Sequence, residues 1–301
     1  MNYFNIEDYT INNYNIKIIR DDIFPFIGGG NKARKALEYE SQLKQKGYNA
    51  IVTTGGIQSN HNRAMALLAA KNNWKCHIVY HGEKERYLRE KGNALFVKNS
   101  GATVEFVKEN EISTAMDNAM LNFENLGYKP YYVTGGGHDI CGGIAICNAV
   151  KDLKQYCIEN NYSPQYIFLP SGTGSTQSGI IAGLEKYGLG NVTVIGISIA
   201  RKRERGIQAM TNYLKNLTQK LQIANDLTNR IVFIDDYLFG GYELYNSNLE
   251  SFITTIMKKT GLVFDTTYSG KAFYGMFDII SKFKLNNCIF WHTGGIFNTL
   301  T

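Results

Sequence analysis

Short apolar runs alternate with longer stretches of helical spacing along most of this chain. Ile16–Ile19, Asn49–Thr54, Lys75–Tyr80, Thr103–Val107 and Tyr131–Val133 are too short for helices and read as buried strands. Between them, helix-forming stretches run from about Ala33 to Gly47, Ala64 to Ala70, Lys84 to Phe96 and Ser113 to Leu126. A second set of apolar runs follows at Tyr166–Pro170, Val192–Ile199, Ile231–Ile234 and Asn287–Trp291. This alternation predicts an α/β fold of mostly parallel sheets covered by helices on both faces. The first fifteen residues are polar and aromatic without a period, and they read as a surface lead-in. The glycine-rich run from Thr134 to Gly143 breaks the alternation and reads as a hinge or a ligand loop.

Composition narrows the class. Among 301 residues, 44% are apolar and 19% charged, as in a globular protein of one large or two medium domains. No run of about 18 apolar residues and no charged-then-apolar leader is present, so a cytoplasmic protein without a membrane partner is expected. The net charge of +6 comes from scattered basic residues, the densest group being Arg201-Lys202-Arg203-Glu204-Arg205. Nucleic-acid binding would need a longer basic stripe or a known module, whereas an anionic cofactor or substrate suits this charge. Cys76, Cys141, Cys147, Cys157 and Cys288 are odd in number and widely spaced, so neither a metal site nor a disulfide framework is expected.

Candidate chemistry sits at the strand-to-helix turns. After Ile16–Ile19 comes Arg20-Asp21-Asp22 and then Gly28-Gly29-Gly30-Asn31-Lys32-Ala33-Arg34-Lys35. Lys32 opens a helix, where the dipole disfavours an ammonium and eases access to the nucleophilic amine. The glycines let a flat ligand lie against the backbone. Gly55-Gly56-Ile57-Gln58-Ser59-Asn60-His61-Asn62-Arg63 places Ser59 and Asn60 where helix caps belong, and a helix start of this kind is also a carboxylate site. Ser171-Gly172-Thr173-Gly174-Ser175-Thr176 joins a strand to a helix through small residues and hydroxyls, a nest of donors for a phosphate. It lacks both the lysine of a P-loop and the spacing of a dinucleotide fingerprint.

These motifs, in this order, resemble those of the pyridoxal-phosphate dependent 1-aminocyclopropane-1-carboxylate deaminase and D-cysteine desulfhydrase family. That family is of fold type II, like the tryptophan synthase beta chain. The resemblance runs from about Arg20 to Gly295. It includes Phe239-Gly240-Gly241-Tyr242, Asp265-Thr266-Thr267-Tyr268-Ser269-Gly270-Lys271 and Trp291-His292-Thr293-Gly294-Gly295. Departures are Ser175 in place of a glycine, Thr266 in place of a proline, and His138-Asp139 in the glycine-rich run.

The resemblance implies two open, twisted, mostly parallel-sheet domains with the cofactor, pyridoxal 5'-phosphate, in the cleft between them. Residues 1–48 and 147–301 would form the larger cofactor-binding domain and 49–146 the smaller, which carries the carboxylate loop. Lys32 would carry the cofactor, and Asn60, Ser171, Gly172, Thr173, Gly174, Ser175, Thr176, Ser269 and Thr293 would surround it. Ser59, Asn60 and His61 would bind the substrate carboxylate, with Tyr242 and Tyr268 flanking the substrate; Lys32, Ser59, Tyr242 and Tyr268 would be the catalytic set. The implied reaction is β-elimination from a small D-amino acid, as in a D-cysteine desulfhydrase, giving pyruvate, ammonia and sulfide. Aminocyclopropane-carboxylate deamination and β-replacement on a serine or cysteine derivative are alternatives, as is a non-catalytic cofactor-binding protein. Within the family the ring-opening enzymes resemble Tyr-Glu-Gly-Lys and His-Leu-Gly-Gly, where the desulfhydrases and this chain have hydroxyls, here Ser269 and Thr293. A homodimer is expected on the same basis.

Overall fold

Asn12 and Asn13, with φ of +50° and +68°, reverse the chain in a two-residue turn and make the first element a hairpin. The computed structural model describes residues 4–300; residues 1–3 and 301 of the expected larger domain lie outside it. The hairpin pairs β1 (Ile6–Ile11) with β2 (Tyr14–Arg20), antiparallel from Ile6 opposite Ile19 to Ile11 opposite Tyr14. This corrects the expected lead-in. β1 carries too few apolar residues to show a period, and the ladder to β2 supplies what periodicity does not.

The chain then alternates through α1 (Gly30–Gln45), β3 (Ala50–Gly55), α2 (Asn60–Lys71), β4 (Lys75–His81), α3 (Lys84–Arg89) and α4 (Gly92–Asn99). β5 (Thr103–Val107), α5 (Ile112–Asn125), β6 (Pro130–Val133) and α6 (Ile140–Glu159) follow. The remainder is β7 (Tyr166–Ser171), α7 (Ser175–Lys186), β8 (Thr193–Ser198), α8 (Arg203–Leu221), β9 (Val232–Ile234), α9 (Ser247–Thr260), α10 (Ser269–Phe283) and β10 (Cys288–His292).

Two sheets result. The six-stranded sheet has the order β1-β2-β10-β7-β8-β9 and is parallel except for the β1 edge. The four-stranded sheet, β5-β4-β3-β6, is parallel throughout. Strands buried on both faces must be continuously apolar, and Ile167, Phe168, Leu169, Ile289, Phe290 and Trp291 are all fully buried. Each sheet has cores on its two faces. The face of the larger sheet under α6, α7 and α8 joins Leu153, Ile181 and Leu214, and the opposite face joins Leu249, Phe273 and Met276. The smaller sheet packs Ala36, Tyr39 and Leu43 of α1 with Met65 and Leu68 of α2.

The glycine-rich run resolves into two parts. Gly135–Gly137 form a short 3-10 turn, with φ of +72° at Gly136. Gly142 and Gly143 instead lie within α6, where a Cβ would fall 2.3 Å from the Gly137 carbonyl oxygen and 2.5 Å from the Tyr213 hydroxyl. Here glycine serves close packing, which the sequence cannot distinguish from a loop.

Candidate active site

Ligands of parallel α/β sheets gather at the carboxyl ends of the strands. Both sheets here deliver those ends to one cleft. Its walls are the segments following β2, β3, β6, β7, β8 and β10, together with Tyr242 and Tyr268.

The turn after β2 is fixed by buried ion pairs. Arg20 forks onto Asp22 at 2.9 and 2.8 Å, while Asp21 holds the Arg34 guanidinium at 2.6 Å and the Trp291 indole N–H at 2.8 Å. Gly29 and Gly30 then pass against other backbone, and a Cβ on either would lie 2.5 Å from the Asp22 carbonyl oxygen or 2.8 Å from that of Thr293. Lys32, the third residue of α1, therefore reaches the cleft, where its amine donates to the Gly136 carbonyl at 2.8 Å. Burial lowers its pKa to about 8, so desolvation rather than the helix dipole is the main reason that the neutral amine is accessible.

After β3, Ser59 caps α2, its hydroxyl oxygen accepting from the His61 and Asn62 N–H groups at 3.2 Å each. Capping uses two donors that a carboxylate could have taken, but it leaves the Ser59 hydroxyl proton to point elsewhere, and Ser59 lines the cleft. The Asn60 amide donates to Asn298 at 2.8 Å and accepts from Arg63 and Asn93 at 3.0 and 3.2 Å. His61 also reaches the wall, with its ring Nε2 bonded to the Thr53 hydroxyl at 2.9 Å and burial driving its pKa well down.

After β7, Ser171, Gly172, Thr173, Gly174 and Thr176 line the cleft. Gly174 has φ +87°, and a Cβ there would lie 2.3 Å from Met210 Cγ. No side chain caps α7, which leaves its first N–H groups for a ligand. The Ser175 hydroxyl does not reach the cleft. It accepts from the Lys35 ammonium at 2.7 Å, beside Thr173 at 3.1 Å. Lys35 also donates to the Gly137 carbonyl at 3.1 Å, and its burial beside Lys32 holds its pKa well below the usual lysine value.

Tyr242 and Tyr268 face each other edge to face, with their hydroxyls 2.8 Å apart. Although the Tyr242 ring is 37% exposed, desolvation of its hydroxyl raises its pKa to about 12, and burial raises that of Tyr268 well above the usual tyrosine value. Ser269 departs from expectation. Its N–H and hydroxyl both donate to Asp265, and its hydroxyl accepts from the Asp265 N–H at 3.1 Å, so it faces away from the cleft. Thr293 lies on the wall, beside His292, whose ring is locked between the Val263 carbonyl at 2.9 Å and the Gly294 N–H at 3.3 Å.

Among the described residues lining the cleft, Lys32 and Arg201 are cationic and none is acidic. A buried amine without a carboxylate partner, an uncapped helix start reached through a glycine that admits no side chain, and a wall free of negative charge together fit an anionic aldehyde such as pyridoxal phosphate. The sequence reading did not pick out Arg201, Asn31 or Lys35. Arg201 begins the densest basic group and donates to the Thr173 carbonyl at 3.3 Å; its position directly after β8 was the available signal. Asn31 donates to Thr176 at 2.8 Å, and Lys35 acts from behind the wall, contacts that only the fold creates.

Comparison with known proteins agrees with this geometry. The family model described as pyridoxal-phosphate dependent enzyme matches residues 13–294. A D-cysteine desulfhydrase of Serratia proteamaculans is 28% identical over 288 residues, spanning 93% of this chain and 86% of that protein. The crystal structure of an ACC deaminase homologue superposes with a TM-score of 0.83 at 27% identity, covering 99% of this chain and 90% of the other. A fungal L-serine ammonia-lyase from Rhizomucor miehei, at 14% identity and a TM-score of 0.68 over 97% of this chain and 93% of its own, shares the fold.

Proposed function

Because the chain belongs to the pyridoxal-phosphate dependent enzyme family, we propose that it catalyses β-elimination from a small D-amino acid, with D-cysteine as the reference substrate. The observation that carries this reading is the convergence on one acid-free cleft of the Lys32 amine and the Tyr242–Tyr268 hydroxyl pair.

Pyridoxal phosphate, when bound, supplies the electron sink for breaking the Cα–H bond. Lys32 would hold it, the turn from Ser171 to Thr176 would take its phosphate, and Asn60 and Thr293 would flank its ring. Ser59, Asn60 and His61 would orient the substrate carboxylate at the start of α2. The Lys32 amine, with a pKa near 8, is suited to take the Cα proton at neutral pH. The high pKa values of Tyr242 and Tyr268 keep both hydroxyls protonated, so one of them can give a proton to the departing thiolate. Loss of the Cα proton and the Cβ–S bond leaves aminoacrylate, which takes up water to give pyruvate and ammonia. No described carboxylate faces the cleft, which favours a substrate whose leaving group departs readily over a strained carbon ring.

The same reading divides the chain into a larger unit, residues 1–48 and 147–301, and a smaller unit, 49–146, and places the enzyme in the cytoplasm as a homodimer. No described helix is long and apolar enough to cross a membrane. The test is a panel of amino acids, both enantiomers, with β-chloro-D-alanine and the cyclopropane substrate included, scored for keto acid, ammonia and sulfide. D-Cysteine or β-chloro-D-alanine turnover well above that of the cyclopropane is expected. Ready ring opening with neither D-substrate consumed would overturn the assignment. Borohydride fixation of the cofactor, followed by peptide mass mapping, is expected to place it on Lys32.

A further inference from the structure

Lys271 is fully buried in α10, outside the cleft, yet its ammonium reaches the loop that forms the rim. It donates to the Gly241 carbonyl at 2.6 Å, to Leu238 at 2.8 Å and, more weakly, to Ile199 at 3.4 Å. Ile199 lies on the cleft wall after β8, and Leu238 and Gly241 bracket the turn that ends in Tyr242.

That turn is strained. Phe239, Gly240, Gly241 and Glu243 all have positive φ, at +50°, +100°, +131° and +60°. The left-handed region is unfavourable for the two non-glycine residues among them and persists only where surroundings impose it. Within the turn, the Gly241 N–H reaches the Leu238 carbonyl at 3.1 Å and the Leu244 N–H reaches Gly241 at 3.2 Å. The ammonium ties these two carbonyls to α10, beside the Phe239 ring, which packs edge to face on Tyr274 of the same helix. Burial lowers its pKa to about 8, so it remains largely charged at neutral pH and keeps all three N–H donors. An apolar side chain would fill this part of the core without the desolvation cost of a charge, so the core alone does not account for a lysine here.

We infer that Lys271 is the positioning residue for Tyr242: its ammonium gathers the Leu238 and Gly241 carbonyls into the arrangement of the turn that delivers the Tyr242 hydroxyl to Tyr268. A role for this in turnover rests on the function proposed above; the anchoring itself does not.

Hydrogen exchange on the protein without added substrate separates the two. In Lys271→Met, residues 237–245 are expected to exchange at least tenfold faster than in the wild type, with β8 and the middle of α10 within twofold. Lys271→Gln, a shorter neutral donor, should fall between. If elimination is the reaction, kcat should drop by about a hundredfold in Lys271→Met, as for a misplaced catalytic group, with KM changed less than threefold. Wild-type protection of 237–245 in a folded variant would overturn the inference. Uniformly faster exchange across the chain would also overturn it, as would failure of both variants to fold, because the lysine would then support the core rather than the turn. Loss of protection with kcat unchanged would keep the anchor and remove Tyr242 from the reaction.

Discussion

The hydroxyls of Tyr242 and Tyr268 lie 2.8 Å apart, although one residue ends a loop after β9 and the other precedes α10. One hydroxyl must donate to the other, which leaves a single transferable proton shared by the pair. Phenylalanine at either position should therefore lower kcat for elimination, by about 10²- to 10⁴-fold if the pair supplies general acid catalysis. Steady-state kinetics on Tyr242→Phe, Tyr268→Phe and the double variant would check this. A double variant no worse than the more damaged single one is the expected signature of a pair acting as a unit.

The Lys32 amine, with its pKa held near 8 by burial, should become more reactive as pH rises through that value and level off above it. Arylation of Lys32 in the cofactor-free protein, followed by mass spectrometry against pH, would show the midpoint; one near 10.5 would contradict the burial argument. Stability carries the same signature. The folded pKa lies below the unfolded one, so the unfolded chain binds more protons between pH 8 and 10.5, and the fold gains stability as pH rises across that window. Lys32→Met should raise cofactor-free stability near pH 7 by about 1–3 kcal/mol, a gain that shrinks toward pH 10.5.

Asn298 joins the 3-10 segment Ile296–Leu300 to the smaller sheet's helices, accepting from Asn60 at 2.8 Å and from Asn93 at 2.9 Å and donating to the Gln58 carbonyl at 3.2 Å. Asn298→Ala should cost about 1–3 kcal/mol, because buried amides lose their partners. It should also raise KM, because the Asn60 NH2 group loses its acceptor and only its oxygen stays held, by Arg63 and Asn93. Chemical denaturation and kinetics on the one variant would separate these effects.

Arg86 of α3 and Glu243, next to Tyr242, meet at 2.9 Å, with the arginine side chain 45% exposed. An exposed pair of this kind is worth little, so Glu243→Gln should shift stability by less than about 1 kcal/mol. Thermal unfolding at low and high salt would test this. A larger loss at low salt would show the pair to be a true fastening between α3 and the segment around Tyr242.

Ser269 and Thr293 should separate in their effects. Ser269→Ala removes hydrogen bonds to the buried Asp265 and is expected to cost about 1–2 kcal/mol. Thr293→Leu changes the cleft wall and should alter the ratio of D-cysteine to cyclopropane turnover with stability nearly intact. Equal effects of both changes on that ratio would reinstate Ser269 as a residue beside the ring.

The strand and helix alternation and the three turns could be read from the chain, because each depends on local residue type: apolar runs, glycines at turns, hydroxyls at helix starts. Tyr242 and Tyr268, two among 20 tyrosines, stood out only through the resemblance of their motifs. What escaped depends on distance along the chain. Lys35 meets Ser175 across 140 residues, and nothing near Lys35 signals it. Ser269 belongs to a motif expected to meet the cofactor but turns to Asp265, a choice made by the buried carboxylate's need for donors. Gly142 and Gly143 look like a loop because sequence shows a missing side chain and not the Tyr213 hydroxyl that excludes one.

β10 lies between β2 and β7, in the middle of the larger sheet, although among the described strands it is the last to be made. During synthesis the four strands of the smaller sheet, all between residues 50 and 133, can pair as they leave the ribosome. The β1–β2 hairpin must wait more than 250 residues for its central neighbour, Cys288–His292. A chain ended at Asn287 would lack the centre of that sheet rather than an edge. Its β3 and β4 amides are expected to be protected from exchange while the β2 edge that β10 should cover stays open, exposing an unpaired strand to neighbouring nascent chains.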